Sequence, residues 1–203
     1  MLGGGQLGRM FALEARRAGY RVVIFTDEPK GCPAGQYADD EINAPYDDAE
    51  ALNRFLSQVD VVTAEFENLP GRLLEAVEAV KPLRPSSKAI VTTQHREREK
   101  LFLREKGIAC AEFRVVDDLK SLEAAVSELG RPCVIKTAAF GYDGKGQFVL
   151  RHMNEVSQAW AELGKAAPLI AEAFVTFQRE LSIIAERSQT GETRCYPLDR
   201  KSV

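Results

Sequence analysis

The chain has 203 residues, 45% of them hydrophobic and 28% charged, with a formal net charge of −3. That apolar share is enough for one large core or two small ones, and the mild acidic balance argues against a general binder of nucleic acid or membrane surfaces, which would carry a basic excess. No run approaches the ~20 apolar residues of a membrane span, no signal peptide is visible, and Cys32, Cys110, Cys133 and Cys195 are scattered without a C-x-x-C, so reduced thiols and a cytoplasmic setting are expected and a zinc site is not.

In chain order, the first feature is GGGQLG (Gly3 to Gly8), the G-x-G-x-x-G spacing of a dinucleotide-binding turn. Such a turn should follow a strand, yet only Met1 and Leu2 precede it, so the pattern alone assigns no ligand. QLGRMFALEARRAG then sets Leu7, Met10, Phe11, Leu13 and Ala18 near helical spacing and stops at Gly19. RVVIFT (Arg21 to Thr26) is a β-branched run of the kind buried on both faces of a parallel sheet. Asp27 follows it, 19 residues beyond Gly8, where the ribose-binding acid of a dinucleotide fold would stand. DEPKGCPAGQ reads as a loop, DDAEALNRFLSQ as a second helix, DVVTAEF as a second buried strand and GRLLEAVEAV as a third helix. The alternation predicts a doubly wound α/β domain over residues 1–83.

KPLRPSS (Lys81 to Ser87) marks a boundary, and Ser86 or Ser87 can cap the next element, a charged helix QHREREKLFLREKG ending at Gly107. The texture then changes. ACAEFRVV reads as a strand, DLKSLEAAVSELG as a helix, PCVIKT and QFVL as strands flanking a glycine-rich loop, and NEVSQAWAELG as a helix. PLIAEAFV, RELSIIAER and TRCYPL are three more strand-like runs. Residues 84–203 therefore read as a second, α+β domain with an antiparallel sheet.

The stretch VIKTAAFGYDGKGQFVL carries the most chemistry. A lysine ends one strand, glycines stand at 141, 144 and 146, and another strand begins at Gln147. Glycines leave backbone N–H groups open to a phosphate chain, and a lysine adds a point charge. The loop lacks GK[ST] and joins two strands, so it is not a Walker loop. By itself it is equally a glycine-rich hairpin with a solvated lysine. Arg96, taken alone, is one charge on a solvated helix face. Lys136 ends an apolar strand and needs an anionic partner, from the protein or from a ligand. Glu180 opens a β-run where acids mostly face water, and Glu65 and Glu67 share one side of a strand.

Five stretches together resemble the ATP-grasp enzymes, and among them the N5-carboxyaminoimidazole ribonucleotide synthetase family of purine biosynthesis. They are GGGQLGRM, TAEFENLP (Thr63 to Pro70), TQHREREK (Thr93 to Lys100), KTAAFGYDGKGQ (Lys136 to Gln147), and EAFV (Glu172 to Val175) with Glu180 eight residues later. The resemblance runs from residue 1 to about Leu198. It implies a pre-ATP-grasp domain followed by the first, α+β part of an ATP-grasp domain, with a lid subdomain over about residues 110–198. Arg96 and Lys136 match the pair of basic residues on the ATP phosphates. Gly141, Tyr142, Asp143, Gly144, Lys145, Gly146 and Gln147 match the lid over them, and Glu172, Ala173, Phe174 and Val175 match the segment whose backbone reads adenine. Glu180 matches the carboxylate on the ribose hydroxyls. Lys136, Asp143 and Lys145 are the implied catalytic residues, and Gln6, Glu65, Tyr142 and Asp143 the implied contacts to aminoimidazole ribonucleotide.

The resemblance further implies ATP, bicarbonate and aminoimidazole ribonucleotide as substrates, Mg²⁺ as cofactor, and a homodimer as the family-like assembly. The opening glycines become the turn after a first strand, with a helix N-terminus available to an anionic group of the second substrate. The family pattern begins with a full strand before GGGQLG. Beyond RCYPL it continues into a C-terminal ATP-grasp subdomain bearing the acidic and asparagine metal ligands. A chain lacking both is expected to have little ligase activity alone, to hold no Mg²⁺ cage, and to expose a sheet edge and apolar faces. Another ATP-grasp ligase would share Lys136, Glu172 and Glu180. A dinucleotide-binding oxidoreductase and a non-catalytic interaction module are the remaining readings.

Overall fold

The computed structural model describes residues 1–141 and 146–200. In the first half, α1 (Gln6–Arg17) starts directly on the glycine turn and stops before Gly19, whose φ of +89° suits only glycine. β1 (Val23–Thr26) pairs in parallel with β2 (Asp40–Asn43). Leu2 extends the sheet on the other side of β1, with parallel bridges to Phe25 and Ala64, and Val62 bridges Leu83 in turn. The spatial order is thus β2, β1, Leu2, 62–64 and Leu83, all parallel, with the chain winding outward in both directions from its first residues.

Alternation along β1 explains the helices on both faces. Val23 and Phe25 enter one core with Phe55, Leu74 and Val77; Val22 and Ile24 enter another with Met1, Ala12 and Ala34. α2 (Ala49–Ser57) and α3 (Gly71–Glu78) cover the first of these faces, and the Asp48 carboxylate caps α2 by accepting from the N–H groups of Glu50 and Ala51.

Three sequence expectations change here. DVVTAEF is not a continuous strand: Val62 and Ala64 each meet a neighbour that offers a single residue, so the run makes isolated bridges, and Val61 is exposed. β2 was hidden by its composition, because DEIN is mostly polar and only Ile42 is buried. The charged stretch QHREREKLFLREKG does form one helix, α5 (Arg96–Glu105), but it is not the helix that Ser86 caps. The Ser86 hydroxyl accepts from the Ala89 N–H at the start of a separate short helix, α4 (Ser87–Thr93), and Gln94 and His95 lie between the two. Gln94 is held there by bonds from its side-chain amide to the Glu67 and Leu69 carbonyls, at 2.5 and 2.6 Å.

The second half contains β3 (Phe113–Val116), α6 (Leu119–Leu129), β4 (Cys133–Thr137), β5 (Gln147–Leu150), α7 (Val156–Leu163) and β6 (Leu169–Ala173). The four strands form one antiparallel sheet in the order β3-β6-β4-β5. Cys133, Ile135, Leu169 and Ala171 join Leu122, Val126, Val156 and Ala159 in a core beneath α6 and α7. Period-2 alternation therefore turns Val134, Lys136, Ile170 and Glu172 to the opposite face. The last strand-like runs yield only short pieces: β7 (Leu181–Ser182) pairs with β10 (Asp199–Arg200), and β8 (Ala185–Arg187) with β9 (Thr193–Cys195). Phe174, Phe177, Leu181, Ile183, Ile184 and Leu198 are exposed around them.

Candidate functional site

The sheet face opposite α6 and α7 holds a buried cluster of opposite charges. In register, Glu172 of β6 lies across from Val134 on one side and Phe113 on the other, and Lys136 lies across from Ile170. Lys136 and Glu172 are thus diagonal neighbours, and the Lys136 ammonium donates to Glu172 Oε2 at 2.9 Å. The other carboxylate oxygen, Oε1, is 3.4 Å from Lys100 Nζ, which reaches over from α5. The Glu172 side chain is only 9% exposed and that of Lys100 12%, so this is an ion triad largely withdrawn from water. Lys100 Nζ also lies 5.5 Å from the centre of the Phe113 ring, and the Arg104 guanidinium 4.1 Å from it, two cations over one aromatic ring.

Arg96 opens α5 one turn before Lys100 and belongs to the base of the glycine-rich loop. Its backbone N–H donates to the Ala138 carbonyl at 2.8 Å, and its guanidinium donates to the carbonyls of Thr137 at 2.6 Å and Gly141 at 3.2 Å. The two ends of the loop are closed by the Thr137 N–H donating to the Gly146 carbonyl at 2.9 Å. The loop base requires glycine at two places. A side chain at Gly141 would begin 2.9 Å from both the Arg96 guanidinium and Thr137 Oγ1, and one at Gly146 would begin 2.7 Å from Thr137 Oγ1, where φ is also +70°. Thr137 Oγ1 and His95 Nδ1 are buried with no hydrogen-bond partner among the described residues. Phe140 holds a φ of 59° without being glycine and projects into solvent. Glu67, Gln94, Arg96 and Phe140 line a polar cleft beside it.

Of the remaining expected residues, Gln147 opens β5, Ala173 ends β6, and Phe174 and Val175 continue from it with exposed side chains. Glu180 immediately precedes β7 and is exposed. Tyr142, Asp143, Gly144 and Lys145 lie outside the described residues. The structure thus brings together Arg96, Lys136, Gly141, Gly146 and Glu172. Sequence reasoning passed over Lys100, Thr137 and Phe140. Lys100 had one legible signal, its i,i+4 spacing from Arg96 on a single helix face; the others had none.

In the first half, Glu65 occupies the start of α1. Its carboxylate accepts from the Gly5 N–H at 2.6 Å and the Gly8 N–H at 3.0 Å. An acidic side chain of the protein therefore sits at the helix end where the sequence suggested an anionic substrate group, and it disfavours a pyrophosphate there. Gln6 beside it is exposed. Cys32 packs against the turn, and burial, followed by its hydrogen bond with Glu41, pushes its thiol up to about 11, which makes it a poor nucleophile. Among the described residues no group of three or more His, Cys, Asp or Glu is arranged to cage a metal ion. No helix among them is long and apolar enough to cross a membrane.

Comparison with known proteins agrees with this two-part architecture. Residues 1–94 match the family model described as a ribonucleotide synthetase preATP-grasp domain, and residues 101–202 match that of the ATP-grasp domain. The N5-carboxyaminoimidazole ribonucleotide synthase of Brucella melitensis is 43% identical over 201 residues, covering 98% of this chain and 55% of its own. That of Bacillus subtilis is 40% identical, covering 97% of this chain and 51% of its own. Among solved structures, an ADP complex of N5-carboxyaminoimidazole ribonucleotide synthetase superposes with a TM-score of 0.94 at 40% identity, over 100% of this chain and 53% of that one. The Aspergillus clavatus synthase, in complex with ADP and 5-aminoimidazole ribonucleotide, superposes with a TM-score of 0.86 at 30% identity, over 98% of this chain and 52% of that one. The chain spans about half the length of the relatives it matches.

Proposed function

The chain belongs to the ATP-grasp family, and from that premise we propose that it supplies the pre-ATP-grasp domain and the nucleotide-binding front of an enzyme that carboxylates 5-aminoimidazole ribonucleotide. The observation that carries the proposal is the charge of the sheet face. Lys100 and Lys136 share the single carboxylate of Glu172, so the triad keeps one positive charge in excess, close to a loop gripped by a third cation, Arg96. A cation withdrawn from water costs free energy that an arriving anion recovers, and a polyphosphate is such an anion.

In this reading ATP phosphorylates bicarbonate to carboxyphosphate, releasing ADP. The substrate amine then attacks the carboxyl carbon, phosphate leaves, and an N5-carbamate results. The protein holds two anions together, offsets their charge and keeps water from an acyl phosphate. Arg96 and Lys136 take the phosphates, residues 141–147 cover them, and Glu172 to Val175 and Glu180 hold adenine and ribose. Gln6, Glu65, Tyr142 and Asp143 face the second substrate, with Asp143 and Lys145 joining Lys136 in catalysis. Arg96 reaches a phosphate by giving up its bonds to the loop carbonyls. The domains run over 1–83 and 84–203, Mg²⁺ arrives with the nucleotide, and a cytoplasmic homodimer is the assembly.

The test joins this chain ahead of the second half of the Brucella melitensis relative and measures ADP release. Release that needs both bicarbonate and 5-aminoimidazole ribonucleotide, and that Lys136→Met abolishes, supports the proposal, with little turnover expected from the chain alone. ADP release indifferent to the ribonucleotide refutes it.

A further inference from the structure

Lys100 is not among the residues assigned to nucleotide or substrate, yet its side chain is 12% exposed where that of Lys136 is 25% exposed. We propose that Lys100 is a positioning residue of the nucleotide site: it offsets the charge of Glu172, so that the charge of Lys136 remains available to a polyphosphate. The inference rests on the ATP-grasp reading and deepens it.

Three observations carry it. Each oxygen of Glu172 meets a different lysine, Oε1 facing Lys100 and Oε2 facing Lys136. Without Lys100 the remaining pair would be formally neutral, and its pull on an anion would be that of a dipole; with Lys100 the triad keeps a net unit charge. The site is also shielded enough for that difference to matter, because Glu172 is 7% exposed and Phe113 lies beneath Lys100. Finally, Lys100 stands one helical turn after Arg96 on α5, whose first residue is tied to the Ala138, Thr137 and Gly141 carbonyls. A single rigid helix thus sets both the loop base and the carboxylate that holds Lys136.

A structural role alone, packing over Phe113, predicts something different, and ligand charge separates the two. The chain and its Lys100→Met and Lys100→Arg variants are titrated by calorimetry with ATP, ADP, AMP and adenosine at one ionic strength. In parallel, the rate of Lys136 acetylation by acetic anhydride is read by mass spectrometry. Lys100→Met is expected to weaken ATP on the order of tenfold, ADP and AMP progressively less, and adenosine not at all, while Lys100→Arg restores the series. Lys136 acetylation should slow several-fold in Lys100→Met, because a carboxylate left with one cation holds it more tightly; it should quicken in Glu172→Gln. An equal loss for all four ligands, or ATP affinity and Lys136 acetylation both unchanged, overturns the inference. If the unaltered chain binds none of the four, the nucleotide reading fails by itself, and the acetylation rates alone decide whether Lys100 governs Lys136.

Discussion

Glu172 is the residue on which the candidate site turns, because two side chains from different elements converge on its carboxylate. Removing it leaves two ammonium groups facing each other with little water between them. Glu172→Ala is expected to destabilise the fold on the order of 2–4 kcal/mol, the lower part of that range reflecting the solvent that reaches Lys136; urea unfolding measures it, and a loss within error of zero would show that the triad is not held in solution. The triad was not written in any motif, since it depends on which strands become neighbours.

At the scale of elements, the turn and α1 show how a pattern can be right about shape and silent about ligand. GGGQLG does make a tight strand-to-helix turn, with Gly3 at a φ of +104°. What faces the helix start is Glu65, brought there because its N–H donates to the Leu2 carbonyl as part of the parallel bridge. Glu65→Ala is expected to lower stability by about 1–2 kcal/mol, through loss of two bonds to the first turn and of a negative charge at the positive helix end. Glu65→Gln should recover part of it, and thermal melting of both variants checks the order. Helices with clear apolar spacing, such as α2 and α6, were legible from the sequence, as was the antiparallel character of the second sheet, though not its four-strand extent. The polar strand β2 and the break between α4 and α5 were not. The first is held by a single buried side chain, Ile42, and the second by bonds from Gln94 to a segment some 25 residues earlier.

For the whole molecule, the larger cores separate into two bodies. Two flank the parallel sheet, the one toward α2 and α3 also taking in Ile90 of α4, and another lies between the antiparallel sheet and α6 and α7. The residues linking them are those of the site: α5 reaches from the end of the first body to the loop base and to Glu172 in the second. Motif order was enough to bring Arg96, Lys136 and Glu172 to attention, because glycine-rich loops and strand-end lysines leave a signature. The role of Lys100 needed the register of β6 against β3 and β4. Under the proposed function, nucleotide belongs on this second body and not on the opening glycines, where the Glu65 carboxylate already stands. Calorimetric titration of the chain and of Lys136→Met with ATP and with NADH tests that most directly. Saturable ATP binding at one site, weakened about tenfold or more by Lys136→Met, with no heat from NADH, is the expected result; NADH binding that ATP does not displace and that Lys136→Met leaves intact would contradict it.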